Sequence, residues 1–76
     1  MADYITTSSR QSGDQRATLA KDRYGRRCVD LRFFKIVDRD TGFMKPTASG
    51  LPVYPEDIDS TVNALIEMKK RIKAAS

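Results

Sequence analysis

Apolar and polar side chains alternate most regularly just after Arg26, where Val29, Leu31 and Phe33 interleave with Asp30, Arg32 and Phe34. A period of two sends successive side chains to opposite faces of a strand. A half-buried strand is therefore expected over about 26–37, with one apolar and one largely polar face. The run Asp38-Arg39-Asp40-Thr41-Gly42 has turn composition and should reverse the chain. A second strand is expected over about 43–53. It starts at Phe43 and Met44, loses an amide donor at Pro46 and can bend at Gly50 before Leu51 and Val53 resume, which describes an edge or bulged strand.

The period then lengthens. Pro55 suits the first position of a helix, Glu56 and Asp57 complement its positive end, and Lys69, Lys70, Arg71 and Lys73 complement its negative end. The spacing predicts a helix over about 55–73, with Ile58, Val62, Leu65, Ile66 and Ile72 along one face and Ala64 and Met68 widening it. So broad an apolar arc fits either ordinary core packing or contact with a second subunit. Upstream the pattern weakens. Residues 1–20 are a polar amino-terminal arm or the first strand or strands, with Tyr4-Ile5-Thr6-Thr7 as the strand-like part. Residues 14–24 favour helix by propensity through Arg16, Ala17, Leu19, Ala20 and Lys21, while a following strand pair would require them extended.

A chain of 76 residues is one small domain, near the size at which a single core needs help from a metal, a disulfide or a second chain; a homodimer is the natural remedy. With 39% hydrophobic and 32% charged residues, it has the composition of a folded soluble domain. No apolar run approaches the roughly 18 residues that cross a bilayer, and no signal-like start is present, so an intracellular protein without a membrane partner is expected. The single cysteine, Cys28, cannot pair within its chain and reads as a packed side chain.

Charge narrows the function. Between Lys21 and Lys35 six basic residues stand against two acidic ones, and residues 1–53 hold ten basic and six acidic side chains, whereas residues 54–76 hold four of each. The positive field belongs to the strands, where Tyr24 and Phe34 are interleaved with the cations, the combination that binds nucleic-acid backbone and bases. Histidine is absent, which removes histidine triads and the usual zinc clusters. Asp38 with Asp40, and Glu56, Asp57 and Asp59, are turn and helix-start acids; no catalytic residue, metal ligand or cofactor is expected. Asp30 implies an ion pair with Arg32 of a neighbouring strand, and Phe34 either stacks on bases or fills a dimer seam. The basic helix end fits dipole complementation better than a membrane surface or a second nucleic-acid helix.

Read in order, Asp22, Gly25-Arg26, Val29-Asp30-Leu31-Arg32-Phe33-Phe34, Gly42-Phe43-Met44-Lys45-Pro46, Gly50 and Tyr54-Pro55-Glu56 resemble the single-stranded-DNA-binding domain of the transcriptional coactivator positive cofactor four family, with its small bacterial and viral relatives. The resemblance runs from about Lys21 to Ile72, making residues 21–76 the expected single-stranded-DNA-binding domain. It implies an α+β fold, a four-stranded antiparallel sheet followed by one C-terminal helix, assembled as a homodimer whose sheet grooves hold single strands or melted duplex. On the family's pattern Lys21, Arg26, Arg32 and Lys45 match its basic positions. Arg23, with Tyr24 beside it, stands where an aromatic is common, and Lys35, beside Phe34, replaces a tryptophan. Ser49 replaces a basic residue, and the turn after the third strand is two residues longer. The expected nucleic-acid-binding set is thus Lys21, Arg23, Tyr24, Arg26, Arg32, Phe34, Lys35 and Lys45.

The leading expectation is non-enzymatic binding of single-stranded DNA, or RNA, with little sequence preference, serving transcription, replication or recombination. Replication or transcription proteins are further possible partners. The cytoplasm or nucleoid of a bacterium or infected host, or a eukaryotic nucleus, would be the compartment. Two alternatives stay open: a duplex-reading regulator with two helices, and an adaptor whose basic face meets an acidic protein. A magnesium-dependent nuclease is the least supported class.

Overall fold

The computed structural model describes residues 3–75. Four strands, β1 (Tyr4–Arg10), β2 (Gly13–Lys21), β3 (Arg27–Asp38) and β4 (Phe43–Val53), precede one helix, α1 (Pro55–Ala75). The strands form one antiparallel sheet in the order β1-β2-β3-β4, each joined to the next by a hairpin. Tertiary pairing overrides helix propensity in residues 14–21, because Ala17 and Leu19 sit between cross-strand neighbours on β3, Leu31 and Val29. The polar amino-terminal segment supplies β1, where Thr7 bulges from the ladder and donates its hydroxyl hydrogen to the Gln15 carbonyl at 3.1 Å.

Two aspartates organise the later turns. Asp22 Oδ1 accepts the amides of Tyr24 (2.8 Å) and Arg26 (2.9 Å), and Gly25 supplies a positive φ of 81°. Asp38 does the same after β3, accepting the Asp40 amide at 3.0 Å, while Gly42 takes φ 73°. Beyond this turn β4 is irregular. Arg32 faces Gly50 and Phe34 faces Pro46, so β4 bulges through Thr47, Ala48 and Ser49 opposite Phe33. With Pro46 and Pro52 as well, this edge strand is poorly suited to pairing outward, whereas β1, the other edge, contains no proline.

The helix lies against one end of one sheet face. An apolar gap of about 180 Å³ separates them, lined by Val29, Leu31 and Val53 from the sheet and Ile58, Val62 and Leu65 from α1. Among the described residues the buried apolar side chains are those of Cys28 and Val53, Gly13 is buried as well, and no residue of the helix is. Val62, Leu65, Ile66 and Met68 of α1 and Ile5, Leu19 and Leu51 of the sheet remain exposed. Among the described residues no helix is long and apolar enough to cross a membrane.

Candidate nucleic-acid interface

The β2–β3 hairpin gathers four of the residues expected from sequence. Lys21 closes β2 directly opposite Arg27, and both are exposed. Tyr24 at the tip is 81% exposed, with the Arg23 guanidinium 5.7 Å from its ring centroid. Rings held this open are available for stacking. Arg26 is differently placed: its guanidinium lies 4.5 Å above the Tyr54 ring and is ion-paired with Glu56 in the first turn of α1. Tyr54 in turn donates its hydroxyl hydrogen to Asp22 Oδ2 at 2.9 Å.

This small network ties the hairpin to the helix start and shifts its groups. The Asp22 carboxyl lies below its ordinary range, chiefly because the Arg26 amide donates to it, with the Tyr54 hydroxyl, the Tyr24 amide and the Arg26 charge adding to the effect; partial burial works the other way. Glu56 is lowered by its own backbone amide and then by Arg26. The Tyr54 phenol is raised, because ionising it would lose the bond to Asp22 and place two negative charges together.

The sheet face opposite the helix carries the even-numbered residues of β3. There Arg32 donates from Nε to Asp30 Oδ2 at 2.9 Å and from Nη1 to the Thr47 carbonyl at 2.6 Å. The expected ion pair therefore forms along a single strand rather than between neighbours, since residues two apart share a face. A Cβ at Gly50 would lie 2.6 Å from Arg32 Nε, so a side chain there would displace the guanidinium. Phe34 packs within its own chain. Its ring, together with that of Tyr4, sandwiches the Arg16 guanidinium, at 4.6 and 4.3 Å from the two centroids. Arg16 also reaches Met44 Sδ at 3.5 Å and Asp14 at 3.9 Å.

Lys35 and Lys45 form a third location. They face each other across β3 and β4, both exposed, on the same face as Val29 and Leu31 but at the end the helix does not cover. Lys35 lies eight positions along β3 from Arg27, roughly 26 Å at strand rise. The expected set is thus divided among the hairpin tip (Lys21, Arg23, Tyr24, Arg26), the open face (Arg32, Phe34) and the far end (Lys35, Lys45). Arg26 and Arg32 have acidic partners; Lys21, Arg23, Lys35 and Lys45 have no ion pair among the described residues.

Sequence reasoning missed Arg16, Tyr4 and Tyr54. The first two lie on strands that composition left ambiguous, although the alternation of Asp14, Arg16 and Thr18 with Ala17 and Leu19 was a period-two signal. Among the described residues no cluster of His, Cys, Asp or Glu is arranged to hold a metal ion.

The fold is PC4-like. It is similar to the crystal structure of a PC4 homolog from Burkholderia pseudomallei, with a TM-score of 0.66 and 29% sequence identity over 91% of this chain and 93% of that one. No protein-family model matches the chain, and no curated protein matches it.

Proposed function

We propose that this protein binds single-stranded DNA without catalysis and with little sequence preference, as a homodimer, in transcription, replication or recombination. The observation that carries the reading is the β2–β3 hairpin, where Lys21, Arg23 and Arg27 have no ion pair among the described residues and surround the open ring of Tyr24. Cations neutralise phosphates while an exposed ring stacks on any base, which gives affinity without sequence readout. The likeness to a PC4 homolog supports the same conclusion, because the positive cofactor four family that the sequence resembles binds single strands on this scaffold. The homodimer is supported by a core of two buried side chains beside a long exposed apolar helix face. A duplex-reading regulator of the two-helix kind is disfavoured, since the described residues contain one helix.

The test is fluorescence anisotropy with labelled single strands of about 20 nucleotides in two unrelated sequences, their RNA counterparts and a matching duplex, at low and moderate salt. Binding of both DNA strands in preference to duplex is expected, with log affinity falling against log salt at about −0.7 per phosphate neutralised. Preference for one duplex sequence would establish the regulator. Indifference to every nucleic acid would make the basic surface a protein-partner site.

A further inference from the structure

We infer that Arg10 joins Lys35 and Lys45 in a second phosphate-binding row, crossing the sheet at the end away from the hairpin tip; the inference rests on the single-strand reading above. The register creates the row. Arg10 of β1 is paired with Gly13 of β2, Gly13 with Lys35 of β3, and Lys35 with Lys45 of β4. Directly paired residues project from the same face, so three cations lie in one line across all four strands. At about 4.8 Å per strand the line is roughly 14 Å long.

Gly13 keeps the line clear. It is the one member without a side chain, and a Cβ at this buried position would run into the Phe34 carbonyl, while its φ of 150° disfavours other residues. Gly13 therefore adds no side chain to the row between Arg10 and Lys35. None of the three cations has an ion pair among the described residues, and all three are exposed. The nearest acids are otherwise engaged: Asp14 lies beside Arg16 on the opposite face, and Asp38 Oδ1 accepts the turn amides of Asp40 and Thr41.

Two lysines directly opposite each other repel, and neither has an ion pair among the described residues to offset it. An anionic ligand relieves it. The cations of the row would contact sugar-phosphate backbone, with Arg10 able to grip a phosphate through two parallel N–H bonds and the lysines acting as point charges, while Phe43, 56% exposed two positions before Lys45 on the same face, borders the row with a ring. Together with the hairpin tip, it gives one strand two separated points of attachment.

The test compares wild type with Arg10→Gln and Arg10→Lys in salt titrations on two single-stranded sequences, with circular dichroism to verify the fold. Arg10→Gln should reduce the salt slope by about 0.7 and the affinity at 0.1 M salt about five-fold, equally for both sequences, while Arg10→Lys retains most of the slope. A wild-type slope in Arg10→Gln would overturn the row yet leave single-strand binding intact. Absence of binding by the wild type would instead overturn the underlying reading. If polyglutamate competes with the strand better than an unlabelled strand does, and does so only with Arg10 present, the row is a site for acidic protein and the inference fails.

Discussion

Replacing Ile66 by glutamate should dissociate the proposed dimer and largely unfold the chain. Val62, Leu65, Ile66, Met68 and Leu51 are each roughly half exposed, and Ile5 and Leu19 more so. Their exposed portions add up to roughly four whole side chains, about 6–12 kcal/mol per protomer if a partner covered them all. That rivals the entire stability of an ordinary domain, so folding and association should be one event. Ile66 is the informative position, because it does not line the gap between helix and sheet and its loss leaves that packing unchanged. About half of Ile66 is left for a partner to cover, so a glutamate there forfeits about 0.7–1.5 kcal/mol per protomer of dimer contact before any cost of burying charge. Symmetry doubles this, so the dissociation constant should rise by about one to two orders of magnitude from lost contact alone. Sedimentation equilibrium and thermal melting over a range of protein concentrations measure it, with Asn63→Glu as the control on an exposed polar position. The wild-type midpoint should increase with concentration. A monomeric wild type whose midpoint is independent of concentration, or an Ile66→Glu protein that remains as dimeric as Asn63→Glu, would refute the reasoning.

Gly50→Ala should expel the Arg32 guanidinium from its place against Asp30 and the Thr47 carbonyl while preserving the strand. The Arg32 Nε resonance should move toward that of a solvated arginine, and an unmoved resonance would contradict the geometry. Acidification should loosen the tie between hairpin and helix: Asp22 and Glu56 are both lowered in the folded chain, so the stability they confer is complete above the ordinary carboxylate range near pH 4 and is lost as pH falls through their folded values. Melting temperature against pH should therefore fall less steeply below about pH 4 in Asp22→Asn than in the wild type. Parallel curves would show that Asp22 does not titrate with folding.

The second half of the chain was legible because its signals are local. Val29, Leu31 and Phe33 alternate, Asp38 and Gly42 make a turn, and Pro55 opens a helix with acids behind it. β1 and β2 were less legible because serine, threonine, alanine and leucine state no strong preference, and their extended form comes from neighbours on β3 that only the register supplies. For the site, sequence revealed where cations are dense but not which are already engaged. Arg26 finds Glu56 thirty positions away, and Tyr54 finds Asp22 thirty-two away. Arg16 needs Tyr4 and Phe34 from two other strands before its sandwich exists. The Arg10 row depends likewise on three successive pairings.

The inequality of the two sheet edges bears on how copies of this chain can grow into larger assemblies. An endless ribbon built by strand addition needs each copy to offer one edge and accept with the other, and β4, with Pro46, Pro52 and its bulge, is a poor acceptor. Only β1 is left for such pairing, and β1 against β1 is a two-fold contact that uses up both edges and stops. A protein that leaves so much apolar surface uncovered in a single copy is thereby steered toward finite particles and away from fibres, whatever its concentration along a nucleic acid.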